Sequence, residues 1–127
     1  MIRIKYDDLN LDGGIPDAGG GATFFYNGKP FTGIIQYFYS TGELEAEDEF
    51  VDSYKNGHHR EWYKSGKIRT DYYERFNAYY GEYKYYYENG TMEIHSEYSN
   101  EGVCLWTRRY NEQGLLIGHW IKGEKIL

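Results

Sequence analysis

Short runs rich in Tyr, Phe and Ile, with polar residues interleaved and a glycine closing each run, recur along this chain. The stretches "YFYSTGEL", "EWYKSGKI", "YYYENGTM" and "RYNEQGLL" carry Gly42, Gly66, Gly90 and Gly114, which fall every 24 residues. Four places before each glycine stand Phe38, Trp62, Tyr86 and Tyr110, and two places after it Leu44, Ile68, Met92 and Leu116. Nine places before it, Gly33, Gly57 and Gly81 repeat the spacing, and Leu105 departs from it. Self-similarity at one fixed period marks a repeat architecture. Successive side chains of a strand point to opposite faces, so the alternation within each run predicts strands.

Each unit is expected to be a β-hairpin with a two-residue loop. Asn89-Gly90 suits the two positive φ angles of a type I′ turn, and Thr41-Gly42 and Ser65-Gly66 are weaker versions. That register sets Tyr39 against Leu44, Tyr63 against Ile68 and Tyr87 against Met92, and continues with Tyr37 against Ala46 and Tyr85 against Ile94. These pairs form the apolar face, which also takes Tyr83. The other face pairs Gln36 with Glu47, Arg60 with Asp71 and Lys84 with His95, while Phe38, Trp62 and Tyr86 meet Glu45, Arg69 and Glu93. The fourth unit is expected to carry one extra loop residue before its glycine. The connections "DSYKNGH", "ERFNAYYG" and "SNEG" supply the Asn and Gly of linking turns, and "FFYNGKPFTG" is a leading partial repeat turning at Asn27-Gly28. A short strand over Ile2 to Tyr6 precedes "DDLNLDGGIPDAGGG", which is expected to be a loop or flexible linker. The chain thus divides into residues 1–23, strand and Gly-rich loop, and 24–127, about four repeats led by a partial one. Cross-strand aromatic pairs of roughly 0.2–1 kcal/mol each are the expected support of an all-β sheet with a single layer.

Composition bounds the function. The 127 residues fit one domain. A mean hydropathy of -0.81 suggests disorder, but 20% aromatic content argues for a folded β protein, since Tyr suits half-buried sheet positions. A net charge of -6 and a pI of 5.2 oppose binding to nucleic acid or anionic membrane and favour a basic partner. Cys104 has no partner for an intramolecular disulfide, and the residues after Met1 are not a secretory leader, so a cytoplasmic location is expected.

The spacing Gly, two places, aromatic or apolar, then Tyr-Tyr-x-Asn-Gly-x-Leu resembles the variant MORN repeat, with "GEYKYYYENGTM" the best match and "GVCLWTRRYNEQGLL" the poorest. The resemblance covers Phe24 to about Lys122. It implies an open, twisted antiparallel sheet of successive hairpins. It also implies a cytoplasmic immunity protein or antitoxin that neutralises a cognate toxin, a reading by analogy because fold does not fix function. The alternatives are a MORN-type scaffold at a membrane and a small carbohydrate-binding or hydrolytic domain.

Individual motifs narrow this little. Asp8 to Gly13 matches the first half of a calcium-binding EF-hand loop, but position twelve, where a bidentate carboxylate is required, is Gly19. Gly19 to Gly21 lacks the Lys-Ser or Lys-Thr of a phosphate loop. His58, His59, His95 and His119 have no Cys pairs to complete a zinc site, although His95 and His119 occupy equivalent repeat positions. No nucleophile motif is present, so no catalytic residue, metal or cofactor is expected. The run "ELEAEDEF" stands out: Glu45, Glu47 and Glu49 share one face, joined in later repeats by Asp71, Glu93 and Glu97 and interleaved with Trp62, Tyr73 and Tyr86. Such a face either keeps an edge strand solvated or docks on a basic cleft of a partner.

Overall fold

A computed structural model describes residues 1–16 and 22–124. Every element among them is a strand: β1 (Arg3–Lys5), β2 (Leu11–Pro16), β3 (Ala22–Tyr26), β4 (Lys29–Pro30), β5 (Gly33–Phe38), β6 (Leu44–Val51), β7 (Tyr54–Trp62), β8 (Ile68–Arg75), β9 (Ala78–Tyr86), β10 (Met92–Tyr98), β11 (Cys104–Tyr110) and β12 (Leu116–Ile121). Nine of them form one sheet in the order β1-β5-β6-β7-β8-β9-β10-β11-β12, and β2-β3-β4 form a second, three-stranded sheet. From β5 onward each strand pairs antiparallel with the next in sequence, as consecutive hairpins must, while β1 lies parallel to β5. The N-terminal strand is therefore found within the expected span. The linker expected after it is partly strand: Leu11–Pro16 pairs with β3, which runs across the expected boundary at residue 23. Gly19 to Gly21 lie outside the described residues.

The hairpin loops differ from the two-residue turns that Asn-Gly suggested. The Tyr39 amide donates to the Glu43 carbonyl at 2.9 Å, and the Gly42 amide to the Tyr39 carbonyl at 2.9 Å. The same two bonds recur at Tyr63 and Gly66, Tyr87 and Gly90, and Asn111 and Gly114. Each loop thus holds three residues, with glycine third and left-handed (φ 103° at Gly42, 92° at Gly90), the geometry of a type I turn closed by a bulge. Two consequences correct the register. Phe38, Trp62, Tyr86 and Tyr110 pair with Leu44, Ile68, Met92 and Leu116, and Glu45, Arg69, Glu93 and Ile117 become the unpaired bulge residues. The fourth unit carries no extra loop residue. Further in, Tyr37 with Ala46 and Tyr85 with Ile94 pair as expected.

Tyr39, Tyr63 and Tyr87, released from cross-strand pairing, reach sideways instead. Their hydroxyls donate to the carbonyls of Trp62, Tyr86 and Tyr110 at 2.6, 2.6 and 2.8 Å, so each loop is tied to the next unit. Type I′ turns occur elsewhere, at Asn27-Gly28 as expected, and at Asp52-Ser53 and Phe76-Asn77, where both central residues have positive φ.

The core sits at the N-terminal end. Phe24 and Phe31 from the small sheet's side meet Ile4, Ile35 and Phe50 of the large one, with Phe24 and Phe50 edge-to-face at 5.0 Å. The Phe24 amide donates to the Ser53 carbonyl and the Ser53 amide to the Phe31 carbonyl, fastening the second layer over the β6–β7 turn. Toward β8–β10 the same face carries stacked rings in place of an aliphatic core: Tyr72 stacks on Tyr83 at 5.3 Å, and Tyr79 meets Tyr98 at 5.2 Å. Such pairs contribute about 0.5–1.5 kcal/mol each beyond the area they bury.

Candidate functional site

The face expected to be acidic carries a ladder that alternates in charge over β6–β9 and holds basic side chains over β10–β12. Strand register sets Gln36, Glu47, Arg60, Asp71, Lys84, His95, Arg108 and His119 side by side across the sheet. Opposite charges on neighbouring strands attract, so the alternation stabilises the row from Glu47 to Lys84; beyond it the basic Lys84 and His95 share the carboxylate of Glu82 instead. Glu47 is only 7% exposed, because Gln36 donates to it at 2.8 Å and Arg3 and Arg60 reach it at 3.3 and 3.2 Å. Asp71 bonds the His58 ring, on which Tyr73 stacks at 4.6 Å. Arg60 lies over Trp62 at 5.5 Å, and Glu97 accepts from the Trp106 indole at 3.1 Å. The carboxylate of Glu49 fills the space where a Cβ at Gly57 would stand and accepts the His58 amide at 3.0 Å.

The structure therefore gathers Glu47, Trp62, Asp71 and Tyr73 around Arg60 and His58, and gives their charges partners. Tyr86 follows Lys84 on the ladder face and pairs with Met92. Glu45 and Glu93 stand apart, on the bulges beside the hairpin loops, and Glu45 is exposed. His95 and His119 do lie two strands apart in one row, with Arg108 between them. The EF-hand resemblance at Asp8 resolves into a turn: Asp8 accepts the Asn10 amide at 2.8 Å and the Tyr26 hydroxyl at 3.3 Å, and β2 begins at Leu11.

The opposite, apolar face holds a polar cluster that the sequence reading missed. His59 Nδ1 bonds Asp48, its direct cross-strand partner, and His59 Nε2 meets Glu61 at 2.9 Å. Arg69 reaches Glu61 at 3.2 Å, Lys55 reaches Asp48 at 3.6 Å, and Tyr72 stacks on the imidazole at 4.5 Å. Glu74 lies alongside, with a carboxylate oxygen within 4.8 Å of the Asp48 and His59 donor atoms. The signal was in the phase: Asp48 stands between Ala46 and Phe50 on the apolar side of β6, where an acid needs a partner.

Burial works against charge on His59, but the hydrogen bonds and charges of Asp48 and Glu61 outweigh it and push its pKa up to about 9. The bond from His59 holds Glu61 below the ordinary carboxylate range. Burial, aided by the charge of Asp48, raises the Tyr37 phenol well above its usual value, so it stays neutral.

Beside this cluster the face opens into a groove of about 630 Å³. Tyr6 and Tyr37, whose rings are 5.0 Å apart, line it together with Ala46, Asp48, Glu61 and Arg69. Aromatic rings among hydrogen-bonding groups are a ligand-binding arrangement. No helix among the described residues is long and apolar enough to cross a membrane.

No family model matches the chain, and no curated protein matches it. Among solved structures, a mutant of S. aureus TarM in complex with Fondaparinux, alpha-GlcNAc-glycerol and UDP aligns at 12% identity with a TM-score of 0.41. The alignment covers 90% of this chain and 20% of that one, and at that TM-score it carries no argument.

Proposed function

We propose that this chain is a non-enzymatic protein-binding module, a cytoplasmic immunity protein or antitoxin that neutralises a cognate bacterial toxin by covering its active or substrate-binding surface. The observation that carries the reading is the broad ladder face, where Trp62, Tyr73 and Tyr86 are interleaved with charges over strands β7–β9. Aromatics among charged groups anchor an interface and orient it, and the resemblance to variant MORN repeats points the same way. Glu47 and Glu49 serve the fold, so Glu45 and Glu93, free of ladder partners, are the acids left to meet a basic partner.

The test is capture of the partner from the source cell, followed by Glu45→Lys with Glu93→Lys. Association should slow several-fold at low salt, and the difference should shrink as salt rises. Unchanged association kinetics at both salt concentrations would refute docking through these acids. A second reading, favoured by the groove beside Tyr37, is a carbohydrate-binding domain. In it the tyrosines stack on the sugar, and Asp48 and Glu61, both committed to His59, orient it.

A further inference from the structure

The cluster on the apolar face has the composition of a metal site. Asp48 on β6, His59 on β7 and Glu74 on β8 are 5, 7 and 9% exposed, and one donor atom from each lies within 4.8 Å of the others. Register brings them together: Asp48 pairs with His59, His59 pairs with Tyr72, and Glu74 is two residues beyond Tyr72 on the same face.

The charges there are unevenly matched. Asp48 has Lys55 at 3.6 Å and Glu61 has Arg69 at 3.2 Å, but Glu74 pairs with no Lys or Arg among the described residues; its contacts are the Tyr72 hydroxyl and the nearby His59 ring. In the absence of a metal the cation between the two acids is the His59 imidazolium, so a metal ion would take the place of its proton, which is released on binding. The surroundings suit one. Glu61 takes the His59 Nε2 side, which turns Nδ1 toward Asp48, the outer arrangement that fixes the ring of a ligating histidine. Asp48 also lines the groove, which leaves one side of the cluster accessible to a water or a small ligand.

We propose that Asp48, His59 and Glu74 bind one divalent transition-metal ion of the zinc class, with Glu61 orienting His59 and the remaining position open to the groove. One imidazole and two carboxylates suit zinc or manganese, whereas calcium and magnesium call for six or more oxygens.

Calorimetric titration of the chelator-treated full chain with zinc chloride tests the site. One saturable site is expected, weakened at least tenfold by Asp48→Asn and by Glu74→Gln, and unchanged by His95→Gln on the opposite face. Glu74→Gln leaves the Asp48–His59–Glu61 chain in place, so circular dichroism should show the fold retained. Cobalt in place of zinc should give the visible absorption of a nitrogen- and oxygen-ligated ion, lost in the same variants. Absence of saturable binding would overturn the proposal. So would full affinity in Glu74→Gln, or displacement of zinc by millimolar magnesium.

Discussion

His59 shows how one residue couples two faces of an argument. A buried imidazolium is unfavourable alone, yet two carboxylates hold it so firmly that its pKa rises to about 9 from the ordinary 6.5. The folded state binds this proton more tightly than the unfolded chain does. The resulting stability is present in full below pH 6.5 and is lost as pH rises through 9, by an amount on the order of 3 kcal/mol. Glu61 acts in the opposite sense, since its depressed pKa gives stability that is lost as pH falls through the folded value. In chelator, the urea midpoint of the wild-type chain should fall between pH 6.5 and 9.5, and the fall should be clearly smaller in His59→Gln. Equal slopes in the two proteins would mean that His59 is not charged in the fold. None of this was legible from a lone histidine beside His58, because its meaning depends on Asp48 lying across the strand gap.

At the scale of the element, turns decide which side chains meet. The 24-residue period, the strands and the inner pairs such as Gln36 with Glu47 were legible, because alternation and glycine spacing are local signals. The pairs nearest the loops were not. Asn89-Gly90 reads equally well as a two-residue loop or as the end of a three-residue one, and one added residue moves Leu44, Ile68 and Met92 to new partners. At the other end of the sheet, Phe76 adopts a φ of 47° and is 66% exposed, a conformation that bulky residues rarely tolerate. Phe76→Asn with Asn77→Gly should relieve it and raise stability by about 1 kcal/mol in chemical denaturation. A lowered midpoint would show that the edge contact of Phe76 with Tyr54, at 6.3 Å, outweighs the backbone strain.

Across the whole molecule, packing is uneven. Phe24, Phe31, Ile35 and Phe50 build two layers over β5 and β6, whereas β11 and β12 leave Leu115, Leu116 and Ile117 more than half exposed. The small sheet was out of reach of the sequence reading because the pairing of Leu11–Pro16 with β3 follows no repeat, and a glycine-rich stretch carries little strand signal. Native-state hydrogen exchange should grade along the sheet, with amides of β5–β7 protected to near the global stability and those of β12 opening first. Uniform protection from β5 to β12 would mean that the sheet opens only as one unit.

The tyrosine hydroxyls that tie each loop to the following unit all point one way along the chain, and both ends of each tie recur with the period. Length is therefore a countable property of this architecture: a chain short of one internal unit still presents every remaining phenol with a carbonyl of the next unit. In the fourth loop Asn111 takes the tyrosine's place and accepts the Gln113 and Leu115 amides, so this loop closes on itself instead of reaching sideways.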